Sequence, residues 1–222
     1  RTALYDAAGH DFWIGRPVER PGSRPLAFDG IEDLGSHLVD WPVIHTVKCL
    51  CFYHPDDPAE LRAAQERTLL ALYDAARTVG RELLVEIIAS RHGPLGDDTT
   101  AAVIDRLYSL GIKPDWWKLE QQPSARAWAA VGAAIEAGDP LCRGVVLLGL
   151  EAPEADLVAA FHAAAAVPIV KGFAIGRSIF ANAAEGWLAG RIDDAAAIDD
   201  MARRFGRLVK AWQRAAATAR AA

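Results

Sequence analysis

The 222-residue chain has few cysteines and no excess of positive charge. Its three cysteines, Cys49, Cys51 and Cys142, make neither a disulfide framework nor a zinc-ligand spacing. They read as reduced, small core residues of a cytoplasmic protein. Lysine and arginine total 24 against 29 aspartates and glutamates, a formal net charge of −5. That balance, with no long basic run, argues against a nucleic-acid partner. No apolar run reaches membrane-spanning length and no signal peptide opens the chain, so no membrane partner is expected. His10, His37, His45, His92 and His162 have no metal-like spacing, and no metal is assigned. The first residue is Arg1 rather than methionine, which reads as a processed or excised piece of something longer.

Hydrophobic residues make up 52% of the chain and charged residues 24%, which suits a packed globular core. Short apolar runs recur about every 30 residues: 12–15, 45–53, 81–89, 115–120, 143–150 and 168–176. Between them lie helical patterns at 30–40, 58–79, 98–110, 124–137 and 154–165, and a long helix is expected over roughly 194–218. In the clearest of these, Asp57 is placed to cap, Pro58 suits the first turn and Gly80 closes the helix. Alternating strands and helices predict βαβ units and a parallel sheet, and the near-continuous apolarity of the runs fits strands covered on both faces. The period is that of a TIM (β/α)8 barrel. Six units are visible, so the first two are expected upstream of Arg1, with residues 1–222 forming one N-terminally incomplete domain. A doubly wound open sheet is the competing architecture, but no Gly-rich phosphate fingerprint follows the first strand.

Three successive strand runs each carry one charged residue among apolar neighbours: Lys48 in "TVKCLC", Glu86 in "LLVEII" and Lys118 in "WWKLE". In barrels of this type the chemistry sits at the C-terminal strand ends. Burial disfavours the charged form, lowering a lysine pKa and raising that of a carboxylate. An uncharged Lys118 amine would condense with a ketone to form a Schiff base. Glu86 would move protons, and Lys48 would hold charge beside them or bind a substrate oxygen. The same three residues also read as a buried ion-pair network that sets strand register.

The last two strands carry a different signal. Gly149 ends one, Gly172 and Gly176 surround the end of the other, and Arg177 and Ser178 open a helix. Backbone N–H groups at glycines and at a helix N-terminus favour an anion, so Gly149, Gly172, Gly176 and Arg177 are candidate phosphate ligands. A tight strand–helix turn that needs glycine is the other reading. In "IGRPVERPGSRP" (14–25), Arg16 and Glu19 are candidate substrate contacts, with Arg20 and Arg24 nearby. A proline-rich surface loop is the other reading, and the simpler one. His54 in "FYHPDD" could face substrate or serve ordinary turn chemistry. The seven tryptophans read as core.

"GRPVERPGSRP", "VKCLCFYHPDD", "PDWWKLE", "CRGVVLLGLEAP" and "GFAIGRSIF", in that order, resemble the bacterial 2-deoxy-5-keto-gluconate 6-phosphate aldolase-like domain. That domain is often fused to a sugar kinase of inositol catabolism, 5-dehydro-2-deoxygluconokinase. More distantly the plan is similar to tagatose-bisphosphate aldolase, a class I enzyme with a TIM barrel. The resemblance implies that Lys118 is the imine lysine, with Glu86 and Lys48 beside it, and that Gly176 and Arg177 hold the substrate phosphate. It implies an aldehyde-lyase of carbohydrate metabolism that splits a phosphorylated keto-sugar acid into dihydroxyacetone phosphate and malonic semialdehyde. No cofactor is required, and a fused or associated kinase and a homo-oligomer are the expected partners. Two other functions stay open: a non-catalytic sugar-phosphate-binding barrel that regulates a fused kinase, and a Schiff-base lyase for another phosphosugar.

Overall fold

The computed structural model describes residues 2–221. Six parallel strands run in chain order across one sheet: β1 (Ile14–Pro17), β2 (His45–Phe52), β3 (Leu83–Ile88), β4 (Trp116–Leu119), β5 (Gly144–Leu148) and β6 (Val170–Ala174). Helices alternate with them: α1 (Thr2–Ala8), α2 (Leu34–Val39), α3 (Ala59–Thr78), α4 (Thr99–Ser109), α5 (Ala125–Gly138), α6 (Glu154–Ala165), α7 (Arg177–Leu188) and α8 (Asp194–Ala221). The six strand runs appear where expected, within a few residues. Only α1 lies outside the helices expected from the sequence. The sequential order excludes the doubly wound sheet, whose strand order reverses midway.

The strand pleat sorts side chains to two sides. Val47, Cys49 and Cys51 of β2, and Trp117 and Leu119 of β4, are fully buried against the helices. Their alternates, Lys48, Leu50, Phe52 and Lys118, face a cavity on the other side. The three cysteines are buried and unbonded to one another, and burial pushes the Cys51 thiol well above its ordinary range. Trp117 and Trp128 fill this helix-covered layer, and the Trp117 indole N–H donates to the Tyr108 hydroxyl at 2.9 Å. Trp116 points to the opposite side, at the lower end of the strands. It meets the Trp13 ring at 4.7 Å and donates to Glu82.

The sheet is curled. Glu19, just past β1, and Ala174, at the end of β6, line the same cavity. In a flat sheet five strand spacings of about 4.8 Å would separate them. The result is a half-barrel of six βα units, an α/β barrel-like fold. No pairing joins β1 to β6 among the described residues.

Local clamps fix the heights of the strands. Asp115 accepts two hydrogen bonds from Arg77 of α3 and one from the Leu83 backbone N–H at the start of β3. Glu66 of α3 accepts from the Tyr53 hydroxyl at 2.6 Å and from both forks of Arg106 on α4 at 2.9 Å. Ser124 caps α5 by accepting from the Ala127 N–H. Asp57 does not cap α3. Its carboxylate pairs with Arg24 and accepts from the His54 N–H, and Pro58 takes the N-cap position. The long α8 lies over α6 and α7. It buries Leu208, Ala211 and Ala215, and Trp212 meets Phe161 edge-on.

Candidate active site

The C-terminal strand ends and the loops beyond them enclose a cavity of about 570 Å³. Glu86 and Lys118 are direct partners across β3 and β4, and Leu50 of β2 sits opposite Glu86. Lys48 therefore lies two residues lower on the same face of β2. Its side chain reaches Glu86 Oε2 at 2.7 Å, and Lys118 Nζ lies 3.1 Å from Glu86 Oε1. One carboxylate thus bridges two ammonium groups, each oxygen facing one of them. The Glu86 side chain is 4% exposed, and those of Lys48 and Lys118 are 20% and 17% exposed. Lys118 is held at a fixed height because both ends of "DWWKLE" are clamped. Asp115 anchors the lower end, as above. Glu120, buried, accepts from the Ala89 and Ser90 N–H groups just past β3 at 2.7 and 3.0 Å.

Glu19 joins the cluster from the loop after β1. An isolated antiparallel bridge to Phe28 folds this loop over the β2 end, and Glu19 Oε1 lies 2.6 Å from Lys48 Nζ. Burial alone would push the Lys48 amine down. Attraction to Glu86 and Glu19 together outweighs burial, and its pKa lies above the ordinary lysine value. Lys48 is therefore held in its charged form near neutral pH.

At the far side of the cavity, Gly149 ends β5 and Gly176 caps α7, with Arg177 as the first helical residue. Gly149 is required by space: a Cβ there would meet Ile175 at 2.9 Å. The next two residues, Leu150 and Glu151, have φ of 46° and 63°, a left-handed conformation unusual outside glycine. Both line the cavity, and Glu151 pairs with the Arg177 guanidinium. Strained backbone of this kind gathers at ligand sites.

The candidates Arg16, His54 and Gly172 do not line the cavity. Arg16 pairs with Val47 in register, so it points to the helix side, where its guanidinium stacks 3.7 Å over Trp41. Its parity on the strand, not its chemistry, removes it from the cavity. Arg24 is taken by Asp57, so no arginine cluster forms after β1. His54 is 2% exposed and holds loops together: Nδ1 accepts from the Asp56 N–H, and Nε2 lies 3.1 Å from the Pro94 carbonyl. Gly172 sits in the middle of β6 rather than at its end, and is not among the cavity-lining residues. The sequence reading missed Arg91 and Glu151, which both line the cavity. Each is the first charged side chain after a strand, and that position was the available signal.

A family described as "Uncharacterized protein conserved in bacteria (DUF2090)" matches residues 1–216. No curated protein matches the chain in sequence. Among solved structures it is similar to Cgl0159 from Corynebacterium glutamicum, with a TM-score of 0.60 and 18% identity over 91% of this chain and 68% of that one. It is also similar to fructose-bisphosphate aldolase from Plasmodium falciparum, solved with TRAP and a small-molecule inhibitor. That match has a TM-score of 0.64 and 12% identity over 97% of this chain and 71% of that one. At such identities the likeness concerns the fold.

Proposed function

This chain belongs to the DUF2090 family of bacterial proteins, and we propose that it acts as a class I, imine-forming aldolase on a phosphorylated keto-sugar acid. One observation carries the reading: a buried carboxylate bridges two lysines inside a cavity at the C-terminal ends of barrel-type strands. The fold shared with a fructose-bisphosphate aldolase supports it. The five motifs that resemble the 2-deoxy-5-keto-gluconate 6-phosphate aldolase-like domain suggest that compound as substrate. We further propose that two more βα units complete an eight-stranded barrel between β6 and β1.

The chemistry follows from the positions. Gly176, Arg177 and the first N–H groups of α7 hold the 6-phosphate once it displaces Glu151 from Arg177. The C5 ketone then lies beside Lys118. Glu86 takes a proton from the Lys118 ammonium, and the free amine attacks C5. Loss of water, with a proton returned by Glu86, leaves a protonated imine. Glu86 next removes the C3 hydroxyl proton. The C3–C4 bond breaks, C3 becomes the aldehyde of malonic semialdehyde, and its electron pair forms the C4=C5 enamine. Protonation at C4 and hydrolysis release dihydroxyacetone phosphate and regenerate Lys118. Lys48, pinned between Glu19 and Glu86, keeps a positive charge beside the reacting centre, where it can meet a substrate oxygen.

Borohydride reduction in the presence of dihydroxyacetone phosphate, read by intact mass, tests the proposal. A stable adduct is expected on the wild-type chain and none on Lys118→Ala. Saturable phosphosugar binding without an adduct would replace the enzyme with a regulatory sugar-phosphate barrel.

A further inference from the structure

We infer that Arg91 is a specificity-determining residue that binds the carboxylate end of the substrate, opposite the phosphate end. The inference rests on the proposed aldolase reading for its direction along the substrate, and on the cavity itself for its charge. Four cations line the cavity. Lys48 and Lys118 share Glu86, and Arg177 is paired with Glu151. Arg91 lines the same cavity and has no carboxylate partner among the described residues. An unmatched guanidinium at a cavity rim is suited to a bidentate contact with a planar carboxylate.

The order of groups across the sheet matches the order of atoms along a six-carbon keto-acid phosphate. Arg177 follows β6, Lys118 is on β4, and Glu86 and then Arg91 belong to β3 and the turn after it. Phosphate at Arg177 and C5 at Lys118 put C3 beside Glu86, so the chain end continues toward Arg91. Three strand spacings, about 14 Å along the sheet and less across its curl, separate the β3 and β6 ends. The cavity, about 570 Å³, lies within the usual range of roughly 300–1,000 Å³ for small-molecule sites. Lys48 does not compete for the carboxylate, because two carboxylates already lie within 2.7 Å of its amine.

Although the Arg91 side chain is exposed, its turn is held from three sides. Glu120 accepts the Ala89 and Ser90 N–H groups, His92 meets Phe52 edge-on at 5.6 Å, and the His54 ring holds the Pro94 carbonyl at 3.1 Å. Glu120 and Lys118 are both on the "WWKLE" segment, so this clamp sets the position of Arg91 relative to the imine lysine. Glu120 is therefore a positioning residue.

The test uses two ligands that lack the C5 ketone and so bind without imine chemistry. 6-Phosphogluconate carries a carboxylate at C1, and glucitol 6-phosphate carries a hydroxymethyl group there. Calorimetry on the wild-type chain is expected to show about a tenfold or greater preference for 6-phosphogluconate, the scale of one hydrogen-bonded charge contact. In Arg91→Gln the preference should fall to about onefold, with glucitol 6-phosphate affinity unchanged. Equal affinities in the wild type, or a preference that survives Arg91→Gln, overturn the inference. Borohydride trapping with dihydroxyacetone phosphate, which ends before the carboxylate, separates the two claims. Lost selectivity in Arg91→Gln supports the Arg91 contact whether or not an adduct forms, and a missing wild-type adduct removes only the imine chemistry.

Discussion

Lys48 is held by carboxylates on two sides, 2.6 Å from Glu19 and 2.7 Å from Glu86. Lys48→Met would leave these two largely buried carboxylates without their shared cation. Breaking such a cluster costs up to about 3 kcal/mol, at the low end of the usual range because Lys48 keeps part of its surface in solvent. Urea unfolding near neutral pH should show this loss. The pKa of Lys48 is raised in the folded chain, so its contribution is complete below the unfolded value of about 10.4 and is lost as pH rises through the higher folded value. Alkaline unfolding of Lys48→Met should therefore be less steep than that of the wild type. The three charged strand residues were legible in the sequence as polar breaks in apolar runs. That Glu86 bridges both lysines was not, because it depends on Lys48 entering two residues lower in register.

At the scale of the element, the two strand–helix turns at β5 and β6 carry the proposed anion site. Gly149→Ala would drive a Cβ into Ile175, overpacking that costs about 1–3 kcal/mol, and would shift the turn that leads to Gly176 and Arg177. Calorimetric affinity for inorganic phosphate should fall several-fold. Gly172→Ala serves as the comparison, because a Cβ there meets nothing within 4 Å, and its phosphate affinity should match the wild type. Both glycines look alike in sequence, and only their places relative to the strand ends tell them apart. The same holds for Arg16, whose chemistry suits a substrate carboxylate but whose strand parity turns it onto Trp41. The tryptophan pair in "DWWKLE" divides in the same way, Trp117 into the helix-covered core and Trp116 to the floor of the curl.

Across the whole molecule, the half-barrel joins residues from β1 to α7 into one cavity, and its acid stability is set partly at the opposite end. His45 begins β2, is 4% exposed, and neither ring nitrogen finds a hydrogen-bond partner among the described residues. Burial, with repulsion from Arg16, holds its pKa below the ordinary histidine value. Protons then bind the unfolded chain more readily, so stability is complete above about pH 6.5 and falls as pH drops through the folded value. His45→Phe removes this titration, and its thermal midpoint should decline less than that of the wild type on acidification. No helix among the described residues is long and apolar enough to cross a membrane.

The alternation of apolar runs with amphipathic stretches was enough to establish six βα units, because a strand buried on both faces and a helix buried on one carry different periodicities. Sequence also marked Lys48, Glu86 and Lys118, since charge inside an apolar run is a local signal. It had no means of deciding which polar residues share a cavity. That outcome depended on strand register, on the curl that brings the β1 loop toward β6, and on clamps such as Glu120, which join residues 30 or more positions apart. Those relations are long-range and geometric, so only the tertiary structure could separate Glu19, which lines the cavity, from Arg16 and His54, which do not, and add Arg91 to the lining.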